Sequence, residues 1–510
     1  MVTTAQAKRT AADKVIVFLK SRRFYLIVLG IFLFESAWIA FSALYPQAFD
    51  ENFHFGLIKV YSHYWLPIFA HQPPDANAYG AVARDPSYLY HYLMSFPYRL
   101  LALFIHSQTA MVIILRLMDT GLFAVGLVLF RRVLLRAGVS RALANVCLLL
   151  FILMPIVPQL AAQVSYDDLL FPLVAWVCLL AFGVIDQLKQ GRLSFQTVTI
   201  LLTMSILSCL VTYAALPLLL AVIVFLLWAP YSLHKNSYKG LWKSIVSDIK
   251  AQSLWLKVSL LCLLAVAVGL FLQRDGVNLV KYHSIVPNCS VVLSVKQCSA
   301  YSAWYVDYTR HQQVIAGGGR ASNDVVVYTV KWLYWMWYRL FFAVNGPASN
   351  FASNPPLAPP SVAAILIAAL GVLAIIRWRK LFYKNYYIIL LFVMSAIYII
   401  ALFVKGYSTY HYTNVLENMN GRYLIPVLLP IAALAGLAFS RALRSLQFQK
   451  VLITVVVLVL FLQGGGFLTF VLSSDQSWYW PNNAVVKVNN AAKKIVIHVV
   501  VRHTVVKENQ

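Results

Sequence analysis

Charge is what this sequence has least of. Only 12% of its 510 residues are Asp, Glu, Lys or Arg, while 61% are hydrophobic; a water-soluble domain carries about 25% charged residues. That shortage excludes a soluble globular protein and leaves lipid as the solvent for most of the chain. Acids are scarcer still: 17 Asp and Glu stand against 42 Lys and Arg, a formal net charge of +25. Such a balance would suit nucleic acid, but the basic residues punctuate long apolar runs. Nucleic acid is therefore excluded as a partner, and anionic membrane lipids are expected instead. Cysteine is sparse as well. Of six in all, Cys147, Cys178, Cys209 and Cys262 sit inside apolar runs, where the thiol behaves as a small hydrophobe. No Cys-x-x-Cys or Cys/His zinc spacing occurs. Cys289 and Cys298 share one predicted loop, where they could form a disulfide in an oxidising compartment. Internal repeats are missing, and no small-residue cleavage site follows the basic cluster Lys8, Arg9, Lys14, Lys20, Arg22 and Arg23. The apolar run from Phe24 to Tyr45 behind that cluster reads as a retained signal anchor.

What is present is a succession of such runs. Hydropathy over windows of about 20 residues predicts about eleven membrane spans. They fall near 24–45, 114–132, 142–160, 168–186, 196–212, 214–229, 257–273, 361–377, 386–404, 423–440 and 451–471. The short loops that alternate with the others carry the basic residues: Arg131 to Arg141, Lys189 and Arg192, Lys235 to Lys257, Arg377 to Lys384, and Arg441 to Lys450. By the positive-inside rule these loops and the N-terminus are cytoplasmic, and the protein is a multi-pass resident of the plasma membrane. The expected organisation is a cytoplasmic basic segment 1–23, a transmembrane domain 24–471 with exterior loops 46–109 and 274–360, and a short exterior tail 472–510. The fold class is all-α and polytopic. Acids and histidines segregate to the exterior side, which concentrates groups able to do acid–base or metal chemistry on one face; short basic cytoplasmic loops alone would give the same pattern. Three aromatic, interrupted stretches, Phe53 to Phe69, Tyr88 to His106 and Val327 to Val344, read as interfacial helices within the two long loops. Such helices would position a lipid-linked substrate or serve as plain anchors. Asn354 to Pro360 is a stiff connector.

The sharpest grouping of reactive side chains follows the first span: Asp50-Glu51-Asn52-Phe53-His54 behind Pro46. On a helix starting there, Glu51 and His54 share a face at i, i+3 spacing. Asp50 at the helix start could act as a general base towards a hydroxyl, and Glu51 with His54 could hold a divalent cation, Mg or Mn, or a phosphate-bound one. The plainer alternative makes Asp50 an N-cap and Glu51 a complement to the helix dipole. Asp167-Asp168 opens the fourth span as a second acidic site, with the same alternative. Two guanidinium groups match these acids at the outer edge. Arg116 has Asp119 as its expected intrahelical partner, and Arg422 lies within Asn420-Gly421-Arg422-Tyr423-Leu424-Ile425-Pro426. Either suits a phosphate or pyrophosphate bidentately, or snorkels to the interface.

In that order and spacing the motifs resemble those of the GT-C superfamily of membrane glycosyltransferases, close to bacterial relatives of the protein O-mannosyltransferases and the lipid A aminoarabinose transferases. Asp50-Glu51-Asn52-Phe53-His54 is similar to the acidic motif of their first exterior loop. Asp85-Pro86-Ser87-Tyr88-Leu89-Tyr90-His91-Tyr92 resembles their "PPLYY" segment, with Asp85 in place of its first proline. Arg116 and Val164-Ser165-Tyr166-Asp167-Asp168 resemble the second-span arginine and the later acidic cap. Gly421 to Pro426 is similar to the "GRYLLP" turn. The span around Val211-Thr212-Tyr213 departs by lacking a lysine common in those relatives. The resemblance implies transfer of a sugar from a polyprenyl-phosphate carrier to an exterior acceptor, whether glycan, lipid or protein. It makes Asp50 the catalytic carboxylate, Glu51 and His54 its neighbours or metal contacts, and Arg116 and Arg422 the lipid-phosphate ligands. A flippase of lipid-linked sugars and a non-catalytic envelope-assembly subunit are the competing classes. Against a flippase stand the lack of repeats and the outer-edge position of the candidate groups.

Overall fold

The computed structural model describes residues 11–233, 238–318, 324–347, 351–353, 358–416, 419–442, 454, 457 and 466–508. The described chain is almost wholly helical. The strands among these residues are one antiparallel pair, Ala343–Asn345 with Phe351–Ser353. Among the described residues seven segments are long and apolar enough to cross a membrane: Arg22–Ser42, Gln108–Arg136, Asp167–Lys189, Tyr213–Leu233, Leu254–Tyr282, Tyr386–Thr413 and Gly421–Arg441. This is an all-α, multi-pass membrane architecture.

The helices relevant to the site are α1 (Ala11–Lys20), α2 (Arg22–Ser42), α3 (Glu51–Ser62), α4 (Leu89–Ala102), α5 (Gln108–Arg136), α6 (Arg141–Ile152), α7 (Ile156–Leu160) and α8 (Asp167–Lys189). Local chemistry sets several of their starts. Ser21, Ser107 and Ser140 each accept a backbone N–H of the first turn of α2, α5 and α6, satisfying a donor that a helix start otherwise leaves orphaned. The packing centre lies between α5 and α8. Phe123 and Phe171 stack with centroids 4.3 Å apart, and Phe151 lies 5.4 Å from Phe171. Gly126 leaves the room that the Phe171 ring occupies, since a Cβ there would overlap it.

Some expected spans are redrawn. The stretch 142–160 is not one helix: α6 ends at Ile152 and the chain turns before α7. Pro155 and Pro158 remove amide donors there, and a 12-residue helix rises only about 18 Å against a hydrocarbon core of about 30 Å. The seventh span runs past its expected end at 273 through a π-helical turn, Leu272–Gly276, to Tyr282. The ninth reaches Thr413 rather than 404. Most of the stretch 451–471 lies outside the described residues, which resume as a helix at Gly466–Ser473. The expected tail 472–510 contains a 26-residue helix, Asn483–Glu508, tied to α2 by Trp38 Nε1 donating to Asn489 Oδ1 at 2.9 Å.

The two long loops are folded, not open. The first holds α3, two short 3-10 turns and α4. The second holds a small lobe closed by a Cys289–Cys298 disulfide, then helices Ser302–Ala316 and Val325–Phe341 and the strand pair. Arg274, buried on the π turn, gathers the first loop around itself by donating to the Val82 and Pro67 carbonyls at 2.9 and 2.6 Å.

Candidate functional site

The site forms where α2 hands over to α3. Leu44 N donates to the Trp478 carbonyl at 2.8 Å and Trp480 N to Ser42 O at 3.1 Å, pinning the end of α2. Phe49 and Asp50 then adopt left-handed backbone, φ 58° and 66°, a conformation that costs Phe49 roughly 1–2 kcal/mol but that Asp tolerates. The sharp turn sends the carboxylates of Asp50 and Glu51 in opposite directions.

Glu51 goes inward. Its Oε1 and Oε2 accept from Arg116 Nε and Nη2, both at 2.7 Å, and neither side chain has any exposed surface. Glu51 also accepts the amides of Gln47 at 2.7 Å and Val164 at 3.1 Å, while Arg116 Nη1 donates to Ala43 O at 2.6 Å. Both ions are thus neutralised and saturated. Arg116, expected to face a lipid phosphate, is instead committed to knitting α2, α3, α5 and the segment before α8. Its expected partner Asp119 takes another donor: Tyr90 Oη gives Asp119 Oδ2 a 2.7 Å hydrogen bond.

Asp50 goes outward. It occupies the N-cap position of α3 but makes no capping hydrogen bond, so the plain capping alternative fails. Arg422 Nη2 donates to its Oδ2 at 3.0 Å, with the Asp50 side chain 63% exposed and that of Arg422 only 7%. Among the described residues Oδ1 has no hydrogen-bond partner. Arg422 also donates to Phe49 O at 2.9 Å and Tyr423 Oη at 3.3 Å. Asn420 presents this arginine by accepting the Arg422 amide at 3.2 Å at the start of the 3-10 turn Gly421–Leu424.

His54 does not pair with Glu51. Its Nδ1 meets His91 Nε2 at 2.9 Å and its ring packs edge-on to Tyr166, centroids 4.7 Å apart. Burial, with the nearby Arg422 charge second, pushes His54 down to about 3, and burial holds His91 well below the usual histidine range as well. Both rings are therefore neutral at pH 7. With Glu51 saturated by Arg116 and His54 engaged by His91, these two do not fit a divalent cation between them. No group of three or more His, Cys, Asp or Glu side chains is gathered for a metal among the described residues.

The second acidic pair is buried at both members. Asp167 accepts from Ser165 Oγ at 3.4 Å and feels the charges of Arg422 and Asp50, which makes it an electrostatic neighbour of the Asp50–Arg422 constellation. Asp168 points to the bundle interior, fully buried, with neither oxygen hydrogen-bonded among the described residues, near Asp119. Tyr166, not an acid, holds the N-cap position of α8. His91, Tyr90 and Tyr423 are site residues that spacing did not single out, although all three lie inside quoted motifs. Chemically, the constellation offers one accessible carboxylate beside a buried guanidinium, an arrangement that can accept a proton from a bound hydroxyl while a positive charge faces an anion.

No protein-family model and no curated protein matches the chain.

Proposed function

We propose that this protein is a membrane glycosyltransferase that moves a sugar from a polyprenyl-phosphate carrier to an exterior acceptor in cell-envelope glycoconjugate assembly. The observation that carries the reading is Asp50: a non-capping residue behind the strained Phe49, whose carboxylate is exposed yet held at 3.0 Å by Arg422. Strained backbone persists where the surroundings over-determine it, and such positions cluster at functional sites. In the proposed reaction Asp50 takes the acceptor hydroxyl's proton as the oxygen attacks the anomeric carbon, with inversion, and the bond to the lipid phosphate breaks. Arg422 orients Asp50 and offsets the charge developing on the leaving phosphate. Glu51, Arg116, His54 and His91 support that geometry from behind. The full topology in this reading has about eleven spans in the plasma membrane, the N-terminus cytoplasmic and the site exterior.

The test is to incubate the purified chain with labelled polyprenyl-phosphate sugars and measure release of lipid phosphate, which the transfer reading requires. A flippase is the second reading, favoured by one observation: Asp119 and Asp168 are buried carboxylates inside span-length helices. Translocation of the intact lipid-linked sugar without release would select it.

A further inference from the structure

The disulfide lobe of the second loop ends against the acidic site. Cys298, fully buried, accepts the Tyr301 amide on its carbonyl at 2.9 Å. Ser294 and Gln297 cap the turn reciprocally, and Trp304 Nε1 closes the lobe by donating to Asn288 Oδ1 at 2.6 Å. Tyr301 is therefore fixed one turn beyond a cross-linked cysteine. Its ring stacks on Phe53, centroids 5.7 Å apart at 30°. It also lies against Gly80, where a Cβ would come within 3.0 Å of Tyr301 Cδ1 and where φ is +76°. Gln72 holds that glycine by donating to its carbonyl at 2.7 Å. So a glycine that both the backbone and the ring require leaves the space Tyr301 fills.

Three features make this ring more than packing. Tyr301 and Phe53 are each only half-buried. The Tyr301 hydroxyl has no hydrogen-bond partner among the described residues. And Asp50 sits one turn before Phe53 at the start of α3, with its charge, like those of Asp85 and Asp307, acting on Tyr301. An aromatic wall beside an accessible carboxylate and a guanidinium suits a ring with an apolar C–H face and a hydroxylated edge. We propose that Tyr301, held by the Cys289–Cys298 lobe and backed by Phe53, is a positioning residue that stacks a pyranose ring over Asp50. This deepens the transfer reading and rests on it. The pyranose could belong to the donor or to the acceptor, and the two are separable by experiment.

Direct binding is measured first, on the full chain in nanodiscs, by saturation-transfer NMR with methyl α-D-mannopyranoside, methyl β-D-glucopyranoside and methyl β-D-galactopyranoside. The wild type and Tyr301→Phe should transfer saturation to ring C–H protons of at least one glycoside. Tyr301→Leu, which keeps apolar bulk, and Tyr301→Ala should lose about tenfold of that signal, and Cys289→Ser/Cys298→Ser should lose a smaller part. Equal signals in wild type and Tyr301→Leu overturn the proposal. So does a loss in Tyr301→Phe as large as in Tyr301→Leu, or no transfer to any of the three in the wild type. In the lipid-phosphate-release assay, Tyr301→Leu should raise KM about tenfold with kcat within about twofold. A rise confined to donor KM assigns the ring to the donor, one confined to acceptor KM to the acceptor. Release with both KM values unchanged defeats the Tyr301 assignment and leaves the transfer reading standing. No release from any donor in the wild type removes the transfer reading, while the glycoside NMR still reports on Tyr301.

Discussion

Two arginine–carboxylate pairs meet at the same end of the bundle, built on neighbouring carboxylates, and they differ in nearly every physical respect. Glu51–Arg116 is bidentate, wholly buried and surrounded by additional donors and acceptors. Asp50–Arg422 is a single contact between a largely exposed carboxylate and a buried guanidinium. The first has no capacity left for a ligand, and the second keeps one oxygen open. Adjacent acids thus separate into a saturated, buried member and an open, exposed one, and a left-handed turn at Phe49 and Asp50 is what separates them.

That contrast can be broken most forcefully from the buried side. Arg116→Met or Glu51→Gln leaves one buried ion uncompensated, which typically costs about 3–5 kcal/mol, so either variant should lower thermal stability steeply or fail to fold. The double variant Glu51→Leu/Arg116→Met should recover only part of the loss, because the Gln47 and Val164 amides stay orphaned. Tyr90→Phe is expected to cost roughly 1–3 kcal/mol by leaving buried Asp119 without its donor, read as a shift of the unfolding midpoint. Acid is a finer probe. Burial depresses His54 and His91, so the unfolded chain takes up protons first as pH falls. The stability these neutral rings contribute is complete above about pH 6.5 and is lost below it, by up to about 1.4 kcal/mol per pH unit for each ring. His54→Gln should flatten the stability profile between about pH 6 and 4, and an unchanged slope would contradict the neutral-pair assignment. Smallest in energy is orientation itself. Single cysteines at Asp75 and Gly318 should label from outside intact cells, and those at Lys239 and Lys380 only after permeabilisation.

The span-length helices were legible because lipid selects long apolar runs, whatever their packing. Pro155 and Pro158 sat inside such a run, and there hydropathy overrode a breaker that the backbone obeyed. Local spacing points to Asp50 and Glu51 but not to the arginines that hold them. Arg116 was matched to Asp119 three residues on, whereas its ion partner is 65 residues away, a distance that no periodicity encodes. His54 was matched to Glu51 for the same reason, and its partner His91 lies on α4. The Cys289–Cys298 bond was readable from loop membership; that it positions Tyr301 was not, since Gly80 and Phe53 come from the other loop.

In the proposed reaction Asp50 is the chemical member of the two pairs. Asn tolerates left-handed backbone much as Asp does, and no capping bond depends on the native carboxylate. The decisive measurement is therefore lipid-phosphate release by Asp50→Asn, taken together with its unfolding midpoint. Turnover should fall by about 10²–10⁴-fold, as for loss of a general base, while stability falls by no more than about 1 kcal/mol, since the Asn oxygen can still accept from Arg422 and the Asp50 side chain is largely exposed. Near-normal turnover in a fully folded Asp50→Asn protein would contradict the account and move the search for the base to Asp167.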